Sequence, residues 1–475
     1  MKNKKSLNPK VAVPIILFTF VFSLVIDNGF KFMSKPIADD LHLSATTVSL
    51  QATLAGIVIG IGAVVYAALA DTFSIKKLLY VGIGLAVGGS VIGFVFQHSW
   101  PMVLIGRIIQ TTGLAGAETL YVIYVTKHIP AKDQKTYLGF STAAFQLAML
   151  IGVLTSGFVS DYISWPAMFL VAAALILAVP LIAKTVPDDE KVSANLDVIG
   201  LLLIGVIGTS AVVFIQQFRV LYAAMSVAGV VLFAVYIRVN KNALVRPEFF
   251  LNGRYVWALV VVLILYSVQL GYIVFFPFIV SKLYGLGTHT TSMLIAPGYA
   301  CATAVGAASG VIAKVVATRP AIMMALVSIC GALVIPAIMP DVSVWLLIIS
   351  MMFFGSGFAL MYAPLMASAI KEIPAEKTGV AIGFYNLTIN IAIPVGIAYT
   401  AKLIDIEPTF FSGLTVGSGH VSHAYGTVLW ILAAIVAVAF FVYVLSDRYL
   451  TWRDHRRRGV VASGARGDDI SVEGA

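Results

Sequence analysis

Runs of about 20 apolar residues recur along the whole chain of 475 residues, and this recurrence constrains the fold more than any other feature. A helix that rises 1.5 Å per residue needs about 20 such residues to cross a bilayer. Fourteen runs fit, and they begin near Val11, Val48, Leu78, Pro101, Tyr137, Trp165, Asp197, Val220, Val256, Thr290, Ala321, Val342, Gly379 and Ala424. The sequence therefore predicts an all-α membrane protein with fourteen transmembrane helices.

The composition agrees with a chain that lipid surrounds. Hydrophobic residues make up 60% and charged residues only 11%, whereas a soluble domain carries about 25% charged residues. Such a chain cannot cover its own surface with polar groups. The two cysteines lack metal-ligand spacing, and His420 and His423 lie in a Gly/Ser-rich segment, so we expect no metal site.

The positions of the positive charges predict the topology. Lysine and arginine favour the cytoplasmic loops of membrane proteins. If the N-terminus lies inside, the inner segments hold all but six of the 31 lysines and arginines, the exceptions being Lys31, Lys35, Arg107, Arg219, Lys282 and Lys402. We therefore expect both termini to be cytoplasmic. The net charge of +9 follows from this topology, and we expect no nucleic acid partner.

The spacing of the runs predicts an internal duplication. The first six and the last six have matching short loops, and "ALADTFSIKK" after span 2 corresponds to "GVIAKVVATRP" after span 10. The predicted organisation is an N-terminal six-helix bundle at 1–186, two inserted transmembrane helices at 187–245, a C-terminal six-helix bundle at 246–446, and a cytoplasmic tail at 447–475. Repeated halves with a site between them are the usual build of secondary transporters.

Several segments resemble signatures of the major facilitator superfamily. "YAALADTFSIKKLLYVG" (66–82) is similar to its loop between spans 2 and 3, and "LIGRIIQTTGLAG" (104–116) to its fourth span. "VIDNGFKFMSKPIADDL" (25–41) resembles the first span of the fourteen-span drug:proton antiporters. The likeness runs nearly end to end and is greatest to the tetracycline–proton antiporters of Gram-positive bacteria. "GVLTSG" (152–157) stands where their antiporter signature reads Gly-Pro-x-x-Gly-Gly, with Val153 for the proline and Ser156 for a glycine.

The resemblance implies a major facilitator fold and a secondary transporter in a bacterial cell membrane. It implies export of a hydrophobic or amphipathic small molecule by alternating access, driven by the proton gradient with no other cofactor, in a protein expected to be a monomer. Asp71, Lys76 and Lys77 match the loop signature, which implies a cytoplasmic gate. The alternative, which Lys31 and the degenerate span-5 signature favour, is a dedicated exporter or flippase of a lipid, a lipid-linked precursor or a siderophore. We expect no enzyme, since nucleotide-binding loops, nucleophile elbows and metal clusters are lacking.

Charged residues inside the spans identify a candidate site, because intramembrane ionisable groups are functional by default. Asp27 lies roughly 24 Å along span 1 from its inner end, and Arg107 roughly 9 Å along span 4 from its outer end. In a hydrocarbon core of about 30 Å these depths nearly coincide, which predicts that the two side chains meet. A carboxylate that is paired and then desolvated can switch its protonation, as proton coupling requires. The alternative is a static ion pair that fixes the packing of spans 1 and 4.

Other polar residues extend this site. Lys31, one turn above Asp27, is a second partner for it, a positive group for an anionic substrate, or a lysine that reaches the outer interface. Glu118 shares a stripe with Arg107 about 16 Å away. It is a second proton carrier, a contact for a cationic substrate, or a neutral acid bonded to a neighbouring helix. The other residues expected to line the substrate cavity are Gln110, Gln269, Tyr272, Asn386 and Asn390.

Overall fold

The computed structural model describes residues 9–188, 197–240, 252–373 and 378–468. In these ranges the chain is helical apart from turns and short connections. Eleven helices within them are long and apolar enough to cross a membrane. The prediction of an all-α, multi-pass membrane protein is thus confirmed, while the count of fourteen spans stays a prediction.

The described residues of the first half of the chain form nine α-helices. They are α1 (Pro9–Phe32), α2 (Ser34–Asp40), α3 (Ala45–Thr72), α4 (Ile75–Val95), α5 (Trp100–Leu114), α6 (Ala117–His128), α7 (Ala131–Tyr162), α8 (Ala167–Ala173) and α9 (Ala178–Thr185). Serine side chains cap two of them, because Ser44 accepts from the Thr47 N–H and Ser74 from the Lys77 N–H. The predicted fourth span is interrupted between α5 and α6, where Gly116 lies against the ring of Tyr66.

Eight more α-helices follow in the part of the second half that the structure describes. They are α10 (Val198–Gln217), α11 (Val220–Val239), α12 (Gly253–Tyr284), α13 (Thr288–Val315), α14 (Thr318–Ile338), α15 (Val344–Ile370), α16 (Thr378–Ile406) and α17 (His420–Asp468). α17 continues past residue 447, where the predicted cytoplasmic tail begins, as far as Asp468, and the tail itself stays a prediction. No proline interrupts this stretch, and its arginines and alanines are good helix formers.

Two large hydrophobic clusters form the interior. One draws on helices from α1 through α9 in the first half, and the other is centred on α12 in the second half. A small third cluster of Ile57, Val212 and Ala398 holds α10 against both α3 and α16. α11 packs on α10 and is mostly exposed, as suits a helix that lipid surrounds.

The two halves meet along two helix pairs, α3 with α16 and α7 with α13. Small residues allow the first contact. A Cβ atom on Gly56 would lie 2.8 Å from Cγ of Pro394, and one on Gly60 would lie 2.9 Å from Cβ of Asn390. We call the end of the bundle where α1, α7, α12, α14 and α16 terminate the distal end, and the opposite end the proximal end.

Candidate functional site

Three ionisable side chains form a buried cluster inside the first half. Asp27 of α1 accepts a hydrogen bond from Nη2 of Arg107 of α5 at 3.1 Å. Nζ of Lys31 lies 2.5 Å from the other carboxylate oxygen, Oδ2 of Asp27. The side chains of Arg107 and Asp27 are 1% and 2% exposed, and that of Lys31 is 9% exposed. The predicted meeting of Asp27 and Arg107 is confirmed, and among the alternatives for Lys31 the structure shows the second partner of Asp27.

Arg107 has a partner at each of its three nitrogen atoms. Besides the bond to Asp27, Nε donates to Oε1 of Gln51 at 3.3 Å, and Nη1 donates to Oε1 of Gln110. The ring of Phe30 lies 4.3 Å from the guanidinium carbon, within range of a cation–π interaction. The guanidinium is therefore fixed in position by α1, α3 and its own helix.

Two glutamines orient the guanidinium through their own hydrogen bonds. Nε2 of Gln51 donates to the Phe30 carbonyl at 2.8 Å and to Oγ of Ser34 at 3.2 Å. Nε2 of Gln110 donates to Oγ of Ser90 at 2.8 Å. The structure thus places Gln110, expected in the substrate cavity, fully buried behind Arg107. Gln51 was not predicted as a site residue, although a glutamine in the apolar run "VSLQATL" was a usable signal.

The charges in this cluster do not balance. Two cations, Lys31 and Arg107, share one anion, Asp27, so the ionised cluster carries a net charge of +1. A buried charge in a membrane protein is costly unless a partner compensates it. An added anion or the loss of a proton from Lys31 would neutralise the cluster, whereas a proton on Asp27 would raise its charge.

The altered span-5 signature lies in α7, directly against α1. A Cβ atom on Gly152 would lie 2.9 Å from the Val25 carbonyl oxygen and 3.2 Å from the Gly29 nitrogen, so glycine is needed for this approach. Ser156, which replaces a glycine, is buried and donates from Oγ to the Val153 carbonyl at 2.8 Å. The substitution is therefore accommodated, because its hydroxyl is satisfied within its own helix.

Glu118 lies apart from the cluster, in the first turn of α6. A carboxylate is favoured there by the positive end of the helix dipole. Its side chain is exposed, and it lies close enough to Tyr362 of α15 for an electrostatic interaction. Glu118 thus interacts with the second half of the molecule, which neither Asp27 nor Arg107 is seen to do.

The remaining cavity candidates lie in the second half. The hydroxyl of Tyr272 is 2.8 Å from Oγ of Ser350, and the tyrosine ring is fully buried in the core. Nδ2 of Asn390 donates to the Asn386 carbonyl at 3.0 Å, and both asparagines are partly buried in α16. Asn390 also packs on α3, which places it at the junction of the halves. Gln269 is partly buried in α12.

The loop signature lies at the proximal end. Nζ of Lys76 donates to the Ala183 carbonyl at 2.7 Å and ties α4 to α9, whereas Lys77 is exposed. The side chain of Asp71 falls outside the described residues. Within the parts of the chain that the structure describes, no group of three or more His, Cys, Asp or Glu side chains could hold a metal ion.

A lateral groove opens between α3 on one side and α10 and α11 on the other. Its volume is about 470 Å³, and its walls are mostly apolar. They include Ile61 and Val65 of α3, with Leu202, Thr209, Tyr222 and Met225 of α10 and α11.

Comparison with known proteins adds evidence at the level of the family. The Major Facilitator Superfamily model matches residues 16–397. The chain is 22% identical over 453 residues to the Quinolone resistance protein NorB of Staphylococcus aureus, covering 92% of this chain and 96% of the relative. It is 21% identical over 465 residues to the Riboflavin transporter RibZ of Clostridioides difficile, covering 92% and 98%.

Solved structures share the fold at low sequence identity. The nucleoside transporter NupG matches with a TM-score of 0.66 and 14% identity, over 92% of this chain and 99% of that chain. A D-xylose-proton symporter matches with a TM-score of 0.63 and 16% identity, over 92% and 96%. The helical arrangement is therefore similar to that of these two transporters.

Proposed function

The chain belongs to the Major Facilitator Superfamily, and on that premise we propose that this multi-pass membrane transporter is a proton-coupled exporter of a hydrophobic or amphipathic small molecule. It acts by alternating access in a bacterial cell membrane with both termini cytoplasmic, as a monomer that needs the proton gradient and no other cofactor. The observation that carries the proposal is the buried cluster in which Asp27 is shared by Lys31 and Arg107.

Coupling follows from the charge of the cluster. In the proposed cycle Asp27 is ionised while Lys31 and Arg107 both lie within hydrogen-bonding distance of it, because two neighbouring cations favour the carboxylate. A proton on Asp27 removes the only anion and leaves Lys31 and Arg107 to repel each other in a low-dielectric surrounding. The repulsion favours separation of α1 from α5. Proton binding to Asp27 and its release thereby switch the first half between two arrangements.

The cargo binds between the halves in this proposal. Glu118 is the proposed second proton carrier, because it lies near Tyr362 of the opposite half. Gln269, Asn386 and Asn390 supply hydrogen-bonding contacts for the cargo, and apolar side chains around them supply the rest. Asp71, Lys76 and Lys77 form the proposed cytoplasmic gate.

The decisive experiment measures transport in proteoliposomes under an imposed pH gradient. A quinolone and riboflavin are the first probes, since the names of two relatives point to them. Compounds that a wild-type strain exports and a deletion strain retains supply further probes. Wild-type protein is expected to move the cargo against its gradient, while Asp27→Asn is expected to lose gradient-driven transport and keep passive exchange of the cargo.

The chain offers a matched control for that variant. Asp39 also pairs with a lysine one turn away, Lys35, but its side chain is 62% exposed. Asp39→Asn should therefore transport like the wild type. Gradient-driven transport that persists in Asp27→Asn, or that is lost equally in Asp39→Asn, would rule out coupling through Asp27.

A second candidate is an exporter or flippase of a lipid, a lipid-linked precursor or a siderophore. The lateral groove favours it, because its walls beside α3 are apolar and carry a few hydroxyl groups such as those of Thr209 and Tyr222. A fluorescent phospholipid in one leaflet tests it by bleaching with dithionite. Movement of the lipid between leaflets without movement of the small-molecule probes would favour this candidate over the first.

A further inference from the structure

Two carboxylates at the distal end bind backbone N–H groups of the opposite half. Asp405 ends α16, and its two oxygens accept from the Ala45 N–H at 2.9 Å and the Thr46 N–H at 2.8 Å. These are the first two residues of α3. The third N–H, that of Thr47, is bonded to the Ser44 side chain at 3.1 Å. Of these three N–H groups at the start of α3, the other bundle therefore caps two and the helix's own serine caps one.

The second contact repeats the arrangement in the other direction. Asp161 lies in the last turn of α7, and its Oδ2 accepts from the His289 N–H, in the first turn of α13, at 2.8 Å. The residue that precedes α13 is Gly287, which has no side chain to cap the helix. A Cβ atom on residue 287 would lie 2.8 Å from Oδ2 of Asp161. Glycine thus both lacks a cap of its own and leaves room for the carboxylate from the first half.

A shared sequence pattern supports both contacts. Each carboxylate follows a small residue by four positions, in Gly157–Asp161 of α7 and in Ala401–Asp405 of α16. The backbone at Gly157 lies against Ser292 of α13, and Ala401 is 1% exposed. The small residue lets the helices approach, and the aspartate one turn later reaches the partner helix.

We propose that Asp161 and Asp405 are positioning residues for the transport cycle: a reciprocal pair of latches that hold the distal end closed. α7 caps α13, and α16 caps α3, so each half supplies one carboxylate and one helix start. Separation of the halves at this end must break all three hydrogen bonds together. The latches therefore set the fraction of protein molecules whose distal end is closed. This inference rests on the fold and the contacts alone, so it stands or falls independently of proton coupling through Asp27.

The test measures distances in full-length protein in lipid nanodiscs. Cys301 and Cys330 are first replaced by serine, and spin labels are attached through His98→Cys and Trp345→Cys, which are exposed at the distal end in opposite halves. A second pair, Lys184→Cys and Val315→Cys, reports on the proximal end. Double electron–electron resonance then gives the distance distribution of each pair.

Loss of a cap should shift the population toward a distal-open state. We expect Asp161→Ala and Asp405→Ala each to raise the ratio of open to closed protein about fivefold, and the double variant to raise it by about the product, since the sites are independent. The distal distance should lengthen while the proximal distance shortens. A variant that has merely unfolded would broaden both distributions instead of shifting them in opposite directions.

Two matched variants make the test specific. Asn keeps one acceptor oxygen, so Asp161→Asn can keep its single hydrogen bond to the His289 N–H and should keep the wild-type distances. Asp405→Asn can keep only one of its two hydrogen bonds and should open the distal end less than Asp405→Ala. Asp341 accepts from the Ser418 N–H at 2.8 Å at the same end, but both residues belong to the second half. Asp341→Ala should therefore leave the distances unchanged. An unchanged Ala double variant, an opening in Asp161→Asn equal to that in Asp161→Ala, or an equal opening in Asp341→Ala would each overturn the proposal.

Discussion

The charge imbalance of the buried cluster gives an ordering of variant stabilities that a simple ion pair would not. Lys31→Gln leaves Asp27 paired with Arg107, whose bonds to Gln51 and Gln110 are kept. The remaining pair is neutral, so we expect a change in the free energy of unfolding of at most about 1 kcal/mol. Asp27→Asn instead leaves two buried cations without an anion, which should cost about 3–5 kcal/mol.

The double variant distinguishes repulsion between the two cations from independent contributions of each residue. Asp27→Asn with Lys31→Gln leaves Arg107 as the only charge in the cluster, so the repulsion between the cations is gone. We expect it to be more stable than Asp27→Asn alone, by about 1–3 kcal/mol of coupling between the two sites. If each residue contributed only its own contacts, the second substitution would lower stability further.

The assay is thermal unfolding of the purified protein in one detergent, followed by tryptophan fluorescence. The expected order of apparent melting temperatures is wild type and Lys31→Gln highest, the double variant next, and Asp27→Asn lowest. The reasoning fails if Lys31→Gln unfolds as early as Asp27→Asn, or if the double variant unfolds earlier than Asp27→Asn. The same double variant also provides a sturdier protein for the transport assay.

Three further predictions concern single positions. Gly152→Ala should destabilise the protein by about 1–3 kcal/mol in the same unfolding assay, because backbone atoms of α1 block the new methyl group; an unchanged melting temperature would contradict the close approach. Glu118→Gln should lower gradient-driven transport without changing the melting temperature, since its side chain is exposed; wild-type transport would remove it from the coupling mechanism. Partial burial raises the pKa of Asp341, but hydrogen bonds from Ser418 outweigh burial and hold the pKa below 3.8. The stabilisation is therefore present above pH 3.8 and lost as the pH falls through the folded value, and Asp341→Asn should flatten this acid-side loss in melting curves.

The pairing of Asp27 with Arg107 was predictable because helix rise is fixed. Counting residues from the ends of two spans gives their depths, and equal depth in a narrow core leaves few other partners. The contact of Lys31 with Asp27 was predictable from its position one turn away on the same helix. Gln51 did not follow, because α3 is apolar all round and its sequence does not show which side faces Arg107. Gln110 illustrates the same limit, since a stripe shared with Arg107 faces either a cavity or a packed neighbour.

Contacts between the halves were beyond the reach of the sequence for a related reason. Asp161 and Asp405 lie at helix ends, where hydropathy gives no information about the partner. Their roles depend on α13 and α3 beginning nearby, which only the packing of the two bundles determines. The length of α17 did not follow either, because hydropathy does not show whether a helix continues through the charged residues after Asp447.

The position of α10 makes the two junctions between the halves unequal. At one junction α10 packs on both α3 and α16 through Ile57, Val212 and Ala398. Any rocking of the halves there must therefore slide α3 and α16 along α10. At the other, α7 and α13 expose apolar side chains such as Phe158 and Met293. Within the described residues, α10 thus braces the junction of α3 with α16, whereas the junction of α7 with α13 stays open to its surroundings at these side chains.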